Sequence, residues 1–533
     1  MGDCAIIEEE RMLPMRDGIR LQTFLFRREG MIFGPVLLQR SPYPVNRETD
    51  FHAARWMAER GFISVLQYCR GTGGSEGNWQ PNDQERPDGI DTLTWLNDQP
   101  WVESIGIYGG SYMALTGWAV MDAVPAKVKG MYLMVYGTDR FTSAWQDGLF
   151  RQDVLTGWAM QNAGQPVHAD YLTSCLYRPQ VRVDRDLWGV DLPWYRDWIT
   201  HPDREDAYWQ SGFWKLLREM PEKVHIPIVI EEGWFDHHLG SALAGYQHIP
   251  KDRCLLRIGP WNHCRGWALS GIPEQKLEDQ LTLILHFFQT LLVEDQETPT
   301  GVELYLCGGH EWLRLSGLPL CRETKTLYLH AGDQGTVLTF TLPEPGQIAY
   351  DYDPDQPVMT CGAESCLCTW DQVGSKRQPA PGNRADVITF LSERLQTPMT
   401  ICGAIEVDLY AQTDVEDTAF VVKLSMVDHA GEAWNVRIGA TTIAKRIDHR
   451  NGVSHLKIRT WDIAWQLPAG SRIRLDVTSS DFPQYCVHPN VGGCWSEQTE
   501  TRIAHQIIHT GGSYPSAVHL PLLTQEKETC RPQ

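Results

Sequence analysis

Ser111 lies in the stretch GIYGGSYMALTGWAV, residues 106–120, between a short apolar run and residues whose apolar character suits a buried helix. Gly109 and Gly110 precede it and the small Ala114 follows. A serine on so tight a strand-to-helix turn projects its Oγ, which can attack a carbonyl carbon once a base takes its proton and a carboxylate orients that base. Small neighbours are needed because such a serine takes strained backbone angles. The first turn of a helix also offers amide groups that favour developing negative charge. The same G-x-S pattern fits a bland glycine bend, so the partners decide.

Asp236 in IVIEEGWFDHHLG and His263 in LLRIGPWNHC are the candidate partners, each just past a short apolar run. Their chain order is Ser, Asp, His, and the 263 − 236 = 27 residues between the last two leave room for one helix and one strand. A neutral His263 imidazole would take the serine proton, and Asp236 would stabilise the imidazolium that results. His237 and His238 are rival bases, but they adjoin Asp236 too closely to reach across it easily and are expected to line a pocket instead. In this arrangement one oxyanion donor is the N–H of the residue after the nucleophile, Tyr112, and the other comes from the loop after the third strand, where VLLQRSPYPV sets Tyr43 between two prolines.

The elements that must hold these groups follow from hydrophobic periodicity. Apolar runs in RLQTFLF, GPVLLQRS, FISVLQYC, SIGIYGG and VKGMYLMVYG alternate with amphipathic stretches up to residue 136, which predicts a mostly parallel sheet covered by helices. Two more runs, IPIVIEEGW and CLLRIGPW, come only after residue 225. The interruption holds tryptophans at 145, 158, 188, 194, 198, 209 and 214 and the helical SGFWKLLREM, and is expected to form a cap. After about residue 320 the period changes to two. Ile405, Val407 and Leu409 alternate with Glu406 and Asp408; Leu456, Ile458 and Thr460, and Ile473, Leu475 and Val477, do likewise. That pattern predicts an antiparallel sandwich of jelly-roll type. The expected organisation is an α/β-hydrolase domain in two parts (1–137 and 226–320), a helical cap (138–225), and a jelly-roll β-sandwich (321–533).

Composition narrows the function. A chain of 533 residues, 42% hydrophobic and 21% charged, has the balance of a soluble globular protein with two to four domains. Its net charge of −20 disfavours nucleic acid and anionic membranes as partners and fits small or neutral substrates better; with the serine chemistry above, the partner expected is a small-molecule ester or amide. The acidic start MGDCAIIEEERMLPMRDG lacks a signal-peptide pattern, and MGDCAI and CRPQ fit neither lipidation signal, so a cytoplasmic protein is expected. Fourteen cysteines include one cluster, Cys361, Cys366 and Cys368, without C-x-x-C or H-E-x-x-H spacing, so neither a metal nor a cofactor is expected. RGTGGSEG, residues 70–77, follows a strand but has the wrong glycine spacing and a repelling Glu76 for a phosphate loop, and reads as a turn.

GGSYM, GWFDHHLG and GPWNHC resemble the nucleophile, acid and base motifs of the cocaine-esterase-like acyl hydrolases, relatives of the X-prolyl dipeptidyl-peptidases and α-amino-acid ester hydrolases. MRDGIRLQTFLF, RSPYPVN, QYCRGTGGSEG and SSDFPQYCVHPN extend the resemblance nearly end to end. It implies a hydrolase domain, a cap and a C-terminal jelly roll, with Ser111 as nucleophile, His263 as base, Asp236 as its orienter and the Tyr43 hydroxyl as an oxyanion donor. It also implies that Trp145 and Trp158 wall the acyl pocket. The sequence departs from the family at Ala114, where glycine is usual, and at His237 and His238, where the amino-acid ester hydrolases carry acidic residues for a substrate ammonium. A plain acyl ester of a small apolar molecule is therefore the expected substrate. An acyltransferase using the same acyl-enzyme, and an idle binding protein using the jelly roll, stay open, as does a homo-oligomer.

Overall fold

The structure is a computed structural model that describes residues 5–318, 323–333, 335–362, 364 and 370–523. Cys366 and Cys368 lie outside the described residues.

The strands β1 (Ile6–Pro14), β2 (Arg20–Arg28), β3 (Gly34–Ser41), β4 (Ile63–Tyr68), β5 (Val102–Gly110) and β6 (Val128–Met134) begin a large sheet. A cap then intervenes, opening with α4 (Arg140–Ala144), the short hairpin β7 (Trp145–Gln146) and β8 (Leu149–Phe150), and α5 (Gln152–Gln161), and running through further short helices to about residue 223. The sheet resumes with β9 (Ile228–Phe235), β10 (Cys254–Asn262), β11 (Gly301–Leu306) and β12 (Glu311–Leu315). Its ten strands run in the order β1-β2-β4-β3-β5-β6-β9-β10-β11-β12. From β4 to β11 neighbouring strands are parallel, while β1, β2 and β12 pair antiparallel.

The central strands are buried on both faces, as in a sheet covered on both sides; every residue of β3, β4 and β9 is buried. Helices α1 (Arg47–Ala58), α2 (Glu85–Asn97) and α3 (Tyr112–Trp118) belong to the crossovers among the first parallel strands. Periodicity missed β1, β11 and β12. The β1 sequence IIEEERMLP is charged along an edge, where such side chains keep a sheet from pairing further, so it shows little of the apolar run that marks the inner strands.

Residues 323–523 form an all-β domain of twelve strands among the described residues, antiparallel except where Gly335–Thr339 pairs parallel with Ile388–Ser392. Its longest pairing joins Met399–Thr413 to Val453–Leu467. Ile405, Val407, Leu409, Leu456, Ile458, Leu475 and Val477 are fully buried, on the inward positions that their alternation predicts. Cap and β-domain meet through buried charge. Glu364 lies 3.5 Å from both Arg151 of the cap and Arg437 of the β-domain, and the Arg151 guanidinium stacks 3.7 Å from the Trp461 ring. No helix among the described residues is long and apolar enough to cross a membrane.

Candidate active site

Ser111 occupies the turn between β5 and α3 with φ 56° and ψ −128°, a region that non-glycine residues enter at a cost of about 1–3 kcal/mol. Three backbone bonds hold it there. Its N–H donates to the Met134 carbonyl of β6 at 2.9 Å, and its own carbonyl accepts from Ala114 and Leu115 at 2.9 and 3.1 Å. A Cβ on Gly109 would lie 2.6 Å from the Met113 Cβ and 2.7 Å from the Met113 carbonyl carbon, so the elbow closes only over a glycine there. Ala114 is fully buried within the helix that follows.

Asp236 and His263 come from the loops beyond β9 and β10. Asp236 is completely buried, and its Oδ1 accepts from the His238 backbone N–H at 2.6 Å, which fixes the carboxylate plane. The His263 loop is tied by Asn262, whose Oδ1 accepts from the N–H groups of Cys264 and Gly266 at 3.1 and 2.9 Å. The two loops approach because β9 and β10 pack tightly: a Cβ on Gly233 would meet the Trp261 carbonyl oxygen at 2.2 Å. His263 Nδ1 lies 2.6 Å from Asp236 Oδ2, and its Nε2 lies 2.9 Å from Ser111 Oγ. The three side chains thus form one hydrogen-bonded chain from a buried carboxylate to a half-buried hydroxyl. With Nδ1–H donating to Asp236, Nε2 is left as the acceptor that the Ser111 proton needs.

His237 and His238 do not join that chain. The His237 ring lies tilted, its centroid 4.3 Å from those of both His238 and His263, and His238 Nδ1 is 2.9 Å from Ser143 Oγ. Burial holds both imidazoles well below the usual histidine range, with neighbouring cationic groups adding to it, so both are neutral at neutral pH. The ligand atoms of Asp236, His237 and His263 fall within 4.8 Å of one another, as a metal group would. The two Asp236 oxygens take part in hydrogen bonds, Oδ1 with the His238 N–H and Oδ2 with His263 Nδ1.

Tyr43 and Tyr112 flank the serine. The Tyr43 hydroxyl accepts from Trp158 Nε1 at 3.0 Å, and desolvation raises its pKa, so it stays protonated with its hydrogen free to donate. Tyr112 opens α3, so its N–H has no carbonyl partner within the helix. Its hydroxyl donates to Glu85 and accepts from the Asn82 N–H, and its ring stacks parallel to Trp158 with centroids 6.2 Å apart.

Two hollows meet at Ser111. One is a narrow cavity of about 50 Å³ whose walls include Tyr43, Asn82, Tyr112, Tyr136, Arg140, Leu155, Trp158, Trp198, His237, His238 and His263. The other is a wider, more open cleft of about 490 Å³, walled in part by Tyr43, Asn46, Gly110, Met134, Trp158, His263 and Cys264. Of the side chains the sequence analysis named for a pocket, Trp158 and His238 line these hollows and Trp145 lines neither. Trp145 is buried in the cap core, its Nε1 donating to the Trp198 carbonyl at 3.0 Å and its ring edge-on to Phe150, and Trp198 takes the place at the wall. Asn82 comes from the turn before α2, Tyr136 from the segment after β6, and Arg140, Leu155 and Trp198 from the cap; no motif in the sequence marks them as site residues. The RGTGGSEG segment is a turn, clamped by Arg70 between Asp88 at 2.6 Å and Asp17 at 2.7 Å, and the next helix starts only at Glu85.

Comparison with known proteins agrees with this architecture. Residues 17–265 match the X-Pro dipeptidyl-peptidase (S15 family) model, and residues 292–519 match the X-Pro dipeptidyl-peptidase C-terminal non-catalytic domain. The cocaine esterase of Rhodococcus sp. (strain MB1 Bresler) is 26% identical over an alignment that covers 96% of this chain and 98% of that protein. An α-amino acid ester hydrolase superposes with a TM-score of 0.84 at 24% identity, covering 97% of this chain and 96% of that one. An aminopeptidase from a Thaumarchaeota archaeon superposes with a TM-score of 0.83 at 21% identity, with the same coverage. Matched along both its hydrolase and its β-domain halves, the chain belongs to the X-Pro dipeptidyl-peptidase (S15) family and is similar from end to end to a cocaine esterase.

Proposed function

We propose that the protein is a serine esterase that works through an acyl-enzyme on Ser111. The observation that carries this reading is the unbroken chain Asp236–His263–Ser111, with contacts of 2.6 and 2.9 Å, at the junction of a narrow cavity and an open cleft.

In the first half-reaction Ser111 Oγ bonds to the ester carbonyl carbon as His263 Nε2 takes its proton. The carbonyl oxygen gains negative charge between the Tyr43 hydroxyl and the Tyr112 N–H. The C–O bond to the alcohol then breaks, and His263 returns the proton to the departing oxygen. Water repeats the sequence, with His263 as base, releasing the acid and restoring Ser111. The acyl group stays attached throughout while alcohol and water exchange. The narrow cavity accordingly suits the acyl half and the open cleft suits the leaving group and water. At about 50 Å³, the cavity has room for roughly 3–5 water-sized positions, which favours a short acyl chain.

Covalent labelling with a fluorophosphonate, followed by turnover of an activated short-chain ester, tests the reading. Labelling at Ser111 and a pre-steady-state burst of alcohol are expected. An unlabelled Ser111 would favour a binding protein, and labelling without hydrolysis in water would favour acyl transfer to another acceptor.

A further inference from the structure

The narrow cavity holds a positive charge that nothing in the described protein neutralises. Arg140, the first residue of α4, is 9% exposed and forms part of the cavity wall. Its Nε is buried without a hydrogen-bond partner, and among the described residues its guanidinium makes neither an ion pair nor a hydrogen bond. Its one defined contact is with the Trp198 ring, whose centroid lies 4.4 Å away. Desolvation lowers its pKa, and the groups that act on it are phenols, Tyr136 first, then Tyr208 and Tyr43; an arginine nonetheless keeps its charge.

Each of the other deeply buried arginines has at least one hydrogen bond or facing carboxylate, although Arg40 Nη2, Arg151 Nε and Nη1, and Arg437 Nη1 also lack a hydrogen bond. Arg40 donates to Gln67 and to the Glu85 carbonyl, Arg437 donates to the Asp462 carbonyl, and Arg474 donates to Asp476. Arg151 faces Glu364 and donates to Gln146 at 2.7 Å. Asp139, next to Arg140 in the chain, is taken by Arg204 at 2.7 Å. A buried cation left alone is costly, and a guanidinium is shaped to receive a carboxylate through two parallel hydrogen bonds.

We propose that Arg140 receives a carboxylate carried by the acyl half of the substrate, so that the ester cleaved is a monoester of a short dicarboxylic acid and the products are an alcohol and a dicarboxylate. This rests on the reading of Ser111 as nucleophile. Leu155, Trp158 and Trp198 supply apolar walls for the intervening methylenes, and the neutral His237 and His238 add no competing positive charge. The room available suits the two methylenes and carboxylate that a succinyl group carries beyond its ester carbonyl.

The test compares monomethyl succinate with methyl 4-methylpentanoate, an uncharged ester of the same branched shape, by proton release on the full-length protein. Wild type is expected to favour the charged ester in kcat/KM by at least ~10-fold, the typical gain from a charge-assisted bidentate contact. Arg140→Met should reverse that ratio, and Arg140→Lys, which keeps the charge but not the fork, should retain part of it. If Arg140→Met does not fold, the wild-type ratio and the relative inhibition by succinate and 4-methylpentanoate still decide. A wild type that prefers the uncharged ester, or an Arg140→Met variant that keeps the wild-type ratio, overturns the inference while leaving the esterase intact. A wild type that cleaves neither ester and leaves Ser111 unlabelled by a fluorophosphonate overturns the hydrolase reading, and the inference falls with it.

Discussion

Replacing Tyr43 with phenylalanine removes one oxygen from the junction of cavity and cleft and leaves the ring between its two prolines. That oxygen has one lone pair occupied by Trp158 Nε1 at 3.0 Å, an arrangement that turns the hydroxyl hydrogen away from the indole and toward the space beside Ser111. Desolvation raises the phenol's pKa, so the hydroxyl is a donor at neutral pH. Loss of one preorganised donor to a developing oxyanion costs about 2.7–4 kcal/mol, which at 1.36 kcal/mol per tenfold is a fall of ~10²–10³ in kcat with KM little changed. The indole N–H also loses its acceptor, a stability cost of roughly 1 kcal/mol given that both residues are only half-buried. Trp158→Phe is the companion variant: it frees the hydroxyl to rotate without removing it, and its loss in kcat should be well below that of Tyr43→Phe. The assay is steady-state hydrolysis of one activated ester by the three proteins, with circular dichroism to verify folding. If Tyr43→Phe keeps more than about a third of wild-type kcat, the second donor lies elsewhere and the oxyanion must be held by backbone amides.

Ser111→Ala and His263→Ala should each lower kcat by at least ~10³-fold and Asp236→Asn severely as well, while activity survives chelators; near-native turnover of His263→Ala together with loss in His237→Ala would overturn the base assignment. Gly109→Ala should lower stability by ~1–3 kcal/mol in chemical denaturation, because its Cβ meets Met113 backbone, whereas Gly110→Ala, with its nearest neighbour 3.7 Å away, should stay close to wild type. Folding holds His237 and His238 well below the ordinary histidine pKa of about 6.5, so the unfolded chain binds more protons than the native one once the pH drops below that value. Stability should therefore fall as pH falls through and below about 6.5, by up to ~1.4 kcal/mol per pH unit for each group. Denaturation midpoints of wild type and His238→Gln, measured between pH 7.5 and 5.5, should show the shallower slope in the variant; equal slopes would contradict the burial argument.

The sequence by itself determined the inner elements and the placement of three residues at the ends of three of them. A run buried on both faces, an alternation of period two and a glycine-flanked serine are local patterns, because pleat, helix pitch and a positive φ are properties of a few consecutive residues. That is why β3, β5 and β9, the inward faces of the β-domain and the positions of Ser111, Asp236 and His263 could be read directly, and why the charged edge strand β1 could not. Tertiary structure decided which side chains line the hollows at Ser111. Trp145 and Trp198 are both cap tryptophans in apolar surroundings, and only the way the cap lies over β5 and β9 turns Trp198 toward Ser111 while hiding Trp145 behind it. The Tyr43–Trp158 bond spans 115 residues, so no spacing rule announces it. Arg140 reads in sequence as one more polar cap residue; its meaning comes from enclosure, because the same guanidinium in water would need no partner and in this cavity lacks one.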